Sequence, residues 1–131
     1  MRFLHTMLRV GNLERSIAFY SELLGMRELR RKDYPDGEFT LAFIGYGDES
    51  DTTVLELTYN WGKDAYELGN AFGHIAVEVD DIQQTVAHVK AKGGVVSREP
   101  GPMKFGQNSP VIAFIKDPDG YSIELIQKRS A

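Results

Sequence analysis

Two histidines and two glutamates occupy matching places in the two halves of this 131-residue sequence. His5 and His74 begin similar segments, and Glu56 and Glu124 each interrupt an apolar strand-like run near the end of their half. Imidazole and carboxylate groups are ligands that Ni, Co, Mn and Zn ions accept. A single histidine or glutamate on a strand is more often structural or solvated. Because both types recur together, the pattern predicts one shared metal site with four protein ligands.

A second group of polar residues lies beside the first. Arg9 follows His5 by four residues, and Asn60 follows Glu56 by four. On a strand, this even spacing places each pair on one face, with about 13 Å between the two positions. An arginine and an amide suit a carboxylate, so the spacing predicts an elongated anionic substrate whose reactive end lies at the metal. The plainer alternatives are a surface cation at Arg9 and a turn residue at Asn60.

The elements that must position these residues also repeat. Residues 5–10 and 74–79 alternate as strands do, with both histidines on the face opposite the apolar side chains. A helix follows each strand, capped by Asn12 in the first half and by Asp81 in the second. Three more strands complete each half, expected at residues 27–31, 39–46 and 53–59, and at 95–98, 111–115 and 121–127. The sequence therefore predicts an α+β fold of two βαβββ modules, residues 1–66 and 67–131.

Composition narrows the possible functions. The net charge is −4, and the 15 basic residues are scattered along the chain, which argues against nucleic acid as a partner. No cysteine is present, so any metal must bind His, Asp or Glu. No apolar run resembles a signal peptide or reaches membrane-spanning length, so we expect a cytoplasmic protein with no membrane partner.

Four segments of the sequence resemble glyoxalase I (lactoylglutathione lyase) of the short bacterial type. They are HTMLRV at residues 5–10, LELTYNWG at 55–62, GHIAV at 73–77 and DPDGYSIEL at 117–125. The similarity runs from residue 1 to about residue 127. It implies the vicinal oxygen chelate fold, in which paired βαβββ modules form half-barrel sheets that are completed in a homodimer. Each metal would then take His5 and Glu56 from one chain and His74 and Glu124 from the other.

The resemblance also implies a reaction. The family converts the hemithioacetal of methylglyoxal and glutathione to S-lactoylglutathione through an enediolate, which removes toxic methylglyoxal. Arg9 and Asn60 match the positions that hold the γ-glutamyl carboxylate of glutathione. Glu124 is the candidate catalytic base, and Glu56 would serve the other face of the reacting carbon.

Two further features of the sequence indicate which metal and which part of the substrate are bound. They are the residue at the first ligand position and the loop before the last two strands. A histidine at the first ligand position and a short chain resemble the nickel- or cobalt-activated class, so we expect nickel rather than zinc. The loop at residues 103–110 is longer than the family pattern. Lys104 in this loop is a candidate partner for the glycine carboxylate of glutathione.

Two other interpretations stay open from the sequence. One is another metal-dependent enzyme of the same fold, such as an epimerase or a dioxygenase. Iron dioxygenases typically use two histidines and one carboxylate, which is one ligand fewer than the set here. The other is a non-catalytic small-molecule binding protein of the same fold, which would leave the paired His and Glu positions without a role.

Overall fold

The chain folds as two compact units that repeat one order of elements. The computed structural model describes residues 1–106 and 108–130. The first unit comprises Met1–Glu67 and the second comprises Leu68–Ala131. Within each unit the order is strand, helix and three strands.

The first unit contains one mixed four-stranded sheet. Its elements are β1 (His5–Arg9), α1 (Leu13–Ala18), β2 (Arg27–Tyr34), β3 (Phe39–Gly45) and β4 (Val54–Asn60). The strand order is β1-β4-β3-β2. β1 runs parallel to β4, whereas β4, β3 and β2 are antiparallel neighbours. The parallel pair brings the first and last strands of the unit together.

The second unit has the same topology. Its elements are β5 (His74–Val79), α2 (Ile82–Ala91), β6 (Val95–Pro102), β7 (Val111–Lys116) and β8 (Ser122–Gln127), and the strand order is β5-β8-β7-β6. β5 is parallel to β8, and the other neighbours are antiparallel. The predicted α+β fold with a βαβββ order in each half is confirmed.

Each sheet buries the face that packs toward its own helix. In the first unit this core includes Leu8, Ala42, Ile44, Leu55 and Leu57 of the strands, together with Val10 directly after β1. In the second it includes Val77, Ala113, Ile115, Ile123 and Leu125. Because side chains alternate along a strand, the histidines and glutamates between these residues lie on the opposite face of each sheet.

The predicted helix caps are confirmed, but the first helix differs from expectation. The side chains of Asn12 and Asp81 accept hydrogen bonds from backbone N–H groups three residues later, at 3.0 Å in both cases. After Ala18 the first helix continues as a π-helical turn over Phe19–Leu23. The Ser21 hydroxyl donates to the Ile17 carbonyl at 2.8 Å, and this competing bond accompanies the wider turn.

Two strands are longer than the sequence pattern indicates. β2 extends to Tyr34 and β6 to Pro102; the register with the neighbouring strand shifts once in β2 and twice in β6. β2 is an edge strand with six charged residues in the run RELRRKDY. An edge strand with a bulge loses the simple apolar alternation on which the prediction depends.

Among the described residues, no helix has the length and apolarity needed to span a membrane.

Candidate functional site

The first predicted ligand pair is formed by the register of β1 against β4. His5 lies opposite Val54 and Met7 lies opposite Glu56, so His5 and Glu56 are diagonal neighbours on one face of the sheet. His5 Nε2 and Glu56 Oε2 are 2.7 Å apart. Thr58, next on the same face, donates from its hydroxyl to Glu56 Oε1 at 3.5 Å. The imidazole and the carboxylate are therefore close enough to bind one ion.

The second unit repeats this arrangement. His74 lies opposite Ser122 and Ala76 lies opposite Glu124 in the parallel β5–β8 pair. His74 Nε2 and Glu124 Oε1 are 3.3 Å apart. In both units the glutamate side chain is 15% exposed, whereas the histidines are 36% and 42% exposed. Each carboxylate is thus partly shielded from water, and each imidazole is still accessible.

An aromatic ring accompanies each pair, and the sequence pattern does not predict it as part of the site. Phe43 on β3 lies opposite Glu56, and Phe114 on β7 lies opposite Glu124. Both rings contact the neighbouring imidazole edge to face, with centroids 5.6 Å apart at His5 and 5.2 Å apart at His74. In the sequence, each module has a phenylalanine in its third strand. A phenylalanine in a strand usually belongs to the hydrophobic core, so this recurrence does not by itself indicate a functional role.

The donor set in each unit fits a borderline divalent cation. One imidazole nitrogen and one carboxylate oxygen lie together on a partly exposed face, and neutral imidazole with carboxylate suits Ni, Co and Zn. Over residues 1–106 and 108–130, no group of three or more metal-ligating side chains is found. Each unit thus brings together two of the four predicted ligands.

The two residues predicted to anchor a carboxylate contact each other in the first unit. Arg9 Nη1 donates to Asn60 Oδ1 at 3.4 Å, and the Tyr66 hydroxyl donates to the same oxygen at 3.1 Å. Since two donors share the amide oxygen, the amide nitrogen is the group that Asn60 can present to an anion. Tyr66 was not identified from the sequence, because a tyrosine in an irregular segment carries no local signal of this contact.

Lys104 lies in the second unit, in the exposed loop after β6. Its Nζ is 5.5 Å from the centroid of the Phe105 ring. Gln107, in the same loop, lies outside the described residues. The structure places Lys104 on an accessible segment, and its role toward a substrate carboxylate stays a prediction.

Comparison with known proteins gives full-length similarities. Residues 2–125 match the family model described as the Glyoxalase/Bleomycin resistance protein/Dioxygenase superfamily. A lactoylglutathione lyase from Neisseria meningitidis serogroup A is 67% identical over 130 residues, covering 99% of this chain and 93% of that protein.

Two solved structures are similar over nearly the whole chain. Glyoxalase I from Zea mays matches with a TM-score of 0.93 and 49% identity over 99% of this chain. The match covers 46% of the maize chain, so this chain spans about half of its length. The trypanothione-dependent glyoxalase I of Leishmania major matches with a TM-score of 0.85 and 46% identity, covering 97% of this chain and 86% of that one.

Proposed function

The chain belongs to the Glyoxalase/Bleomycin resistance protein/Dioxygenase superfamily, and we propose that it is a metal-dependent glyoxalase I, that is, a lactoylglutathione lyase. It isomerises the hemithioacetal of methylglyoxal and glutathione to S-lactoylglutathione, and thereby removes methylglyoxal. The observation that carries this proposal is the duplicated His–Glu pair, with N···O distances of 2.7 and 3.3 Å. Relatives that are 54–67% identical over almost the whole chain carry the name lactoylglutathione lyase.

We propose that the metal site is completed in a homodimer. One protomer supplies His5 and Glu56, and its partner supplies the second pair of ligands, His74 and Glu124. A twofold arrangement of this kind produces two identical sites in a dimer of two copies of the chain. Exposed apolar side chains at the start of the first unit, Phe3, Leu4 and Met7, are available for burial against a second copy.

The four ligands would hold one divalent ion per site. When bound, such an ion supplies Lewis-acid stabilisation of negative charge on the substrate oxygens. We propose nickel as the native ion, with cobalt as the next choice and zinc less favoured, because His5 occupies the position where the zinc class of this family has glutamine.

The carboxylates of the chain perform the proton transfer. Glu124 removes the proton from the carbon that bears the sulfur, which gives an enediolate, and returns it to the neighbouring carbon. The product is the thioester with a hydroxyl on the adjacent carbon, so atoms and charge balance. Glu56 occupies the matching place and serves the other face of the carbon. The low exposure of both carboxylates limits competition from water.

Arg9 and Asn60 anchor the other end of the substrate. Alternation along β1 and β4 places them on the same face as His5 and Glu56, about 13 Å further along each strand. This separation suits an extended peptide thiol whose γ-glutamyl carboxylate binds the anchor while its sulfur lies near the metal ligands. Lys104 is proposed to pair with the glycine carboxylate. A cytoplasmic location fits the substrate, since the glutathione thiol is kept reduced there.

We expect Arg9→Ala to raise KM for the glutathione hemithioacetal about tenfold or more, with a smaller change in kcat. The guanidinium contributes binding to a part of the substrate that does not react. Initial-rate kinetics on the metal-loaded enzyme measure the effect. Arg31→Ala is a control, because the Arg31 guanidinium pairs with Glu28 and Glu14 instead. An unchanged KM in Arg9→Ala would remove Arg9 from the substrate site.

The proposed activity is tested by following thioester formation by ultraviolet absorbance. The purified protein, loaded separately with Ni, Co and Zn, is given the hemithioacetal made from methylglyoxal and glutathione. We expect S-lactoylglutathione as the product, and a higher KM when cysteinylglycine replaces glutathione, because that thiol lacks the γ-glutamyl carboxylate. Absence of product with all three metals would overturn the proposal.

A further inference from the structure

The two phenylalanines that contact the histidines have no role in the proposed proton transfer or in substrate binding. We infer that Phe43 and Phe114 are positioning residues, which fix the ring planes of His5 and His74 so that each Nε2 stays directed toward its glutamate and the metal position. This inference rests on the proposed function, because it assigns the two rings a role at the metal ligands.

The geometry of the two contacts is nearly the same. The ring planes of Phe43 and His5 meet at 81°, and those of Phe114 and His74 meet at 82°. Rotation of an imidazole about its last side-chain bond is broad and roughly twofold, so a single hydrogen bond to Nε2 does not define the ring plane. An edge-to-face aromatic contact supplies the second constraint, since aromatic pairs favour this arrangement. This edge-to-face contact between phenylalanine and histidine is present in both units.

The strand order explains why the ring comes from the third strand. Each glutamate lies on the strand between the histidine strand and the phenylalanine strand, as in β1-β4-β3 and β5-β8-β7. Phe43 is the direct register partner of Glu56, and Phe114 is the direct partner of Glu124. The register between these two strands therefore places the phenylalanine ring beside the carboxylate. From there the ring reaches the imidazole, which is the diagonal neighbour of the carboxylate.

The first unit holds its phenylalanine by a further contact. The guanidinium carbon of Arg30 lies 3.8 Å from the centroid of the Phe43 ring, a cation–π arrangement. Arg30 is itself held by Glu49, to which Nε and Nη2 donate at 2.8 and 3.2 Å. In the second unit, Arg98 lies opposite Phe114 but donates to the Pro102 carbonyl at 2.7 Å. Because the Phe43 ring has this additional support, residue 43 is the first position to test.

The test combines metal affinity with a measurement on the metal-free protein. Phe43→Leu and Phe114→Leu remove the ring and keep an apolar side chain, and Phe43→Tyr keeps the ring. Phe39→Leu is the matched control, because Phe39 lies on β3, on the same face as Phe43, and stacks on Tyr34 with centroids 4.8 Å apart. Nickel affinity is measured by competition with a chromophoric chelator. Imidazole proton NMR shifts are measured on the apo-protein, where the aromatic ring current displaces them.

We expect each leucine variant at residues 43 and 114 to bind nickel about three- to tenfold more weakly. The ring-current displacement of the neighbouring imidazole protons is lost in the same variant. Phe43→Tyr retains both wild-type affinity and wild-type imidazole shifts, and Phe39→Leu retains nickel affinity.

Three results would overturn the inference. Wild-type nickel affinity in both leucine variants overturns it alone, with the proposed function intact. An equal loss of affinity in Phe39→Leu does the same, because the effect would then be general destabilisation. A wild-type protein that neither binds nickel nor isomerises the hemithioacetal overturns the proposed function and the inference together.

Discussion

Glu124→Gln is expected to lower kcat by about two orders of magnitude or more while the protein still binds its metal. Glutamine has almost the same shape as glutamate, and its amide oxygen can still face a cation, but the amide does not accept the substrate proton. The side chain at this position is 15% exposed and lies 3.3 Å from His74 Nε2, so water has limited access to take over the proton transfer. Kinetics with the glutathione hemithioacetal, together with the metal content of the same preparation, provide the measurement.

Two companion variants make this result specific. Glu99→Gln is the surface control, since Glu99 pairs with Lys90 at an exposed position and should leave kcat unchanged. Glu56→Gln is the internal comparison, because Glu56 occupies the matching place in the first unit. If Glu124→Gln isomerises the substrate at a rate close to that of the wild type, Glu124 is not the base.

Removal of the metal is expected to abolish almost all of the activity. Lewis-acid stabilisation of the developing negative charge contributes several kcal/mol, so its loss corresponds to a rate decrease of roughly 10³-fold or more. Prolonged dialysis against a chelator prepares the apo-protein, and its residual rate is compared with that of the starting material. Nickel should restore the activity most fully, cobalt less so, and zinc least.

Ligand variants separate loss of the metal from loss of the fold. His5→Ala and His74→Ala should both bind nickel weakly and show little turnover, because each removes one of four ligands. Their secondary structure and thermal unfolding should stay close to those of the wild type, since both histidines are on the partly exposed face of their sheets. Full activity in a preparation whose metal content has been measured as negligible would contradict metal dependence.

The fold and the two His–Glu pairs could be predicted because the information is local and duplicated. Alternation along residues 5–10 and 74–79 assigns each histidine to the face opposite the core, and the same rule holds around Glu56 and Glu124. The repeat then implies that both pairs lie at equivalent places. The parallel register of β1 with β4 and of β5 with β8 then brings the atoms together, and the structure, not the order of elements, supplies that pairing.

The rest of the site depends on contacts that a local pattern does not encode. Phe43 and Phe114 reach the histidines because of the β3–β4 and β7–β8 registers, yet in sequence they resemble ordinary core residues. The Tyr66 hydroxyl reaches Asn60 from an irregular segment. The π-helical turn at Phe19–Leu23 follows a helix whose apolar spacing looked regular, and it is accompanied by one hydroxyl–carbonyl bond.

A mixture of two inactive double variants tests most directly whether the metal site is formed by two chains. His5→Ala/Glu56→Ala lacks the first pair of ligands, and His74→Ala/Glu124→Ala lacks the second. If each site takes one pair from each protomer, a mixed dimer contains one complete site and one without ligands. Random pairing of equal amounts therefore restores about a quarter of the wild-type activity.

The two variants are refolded together, loaded with nickel and assayed for S-lactoylglutathione, and native mass spectrometry confirms that mixed dimers have formed. Each variant alone should remain inactive under the same conditions. Recovery to about a quarter of the wild-type rate is the predicted result. If a sample that contains mixed dimers recovers no activity, the result contradicts the proposed shared site. In that site, one protomer supplies His5 and Glu56, and the other supplies the second pair of ligands.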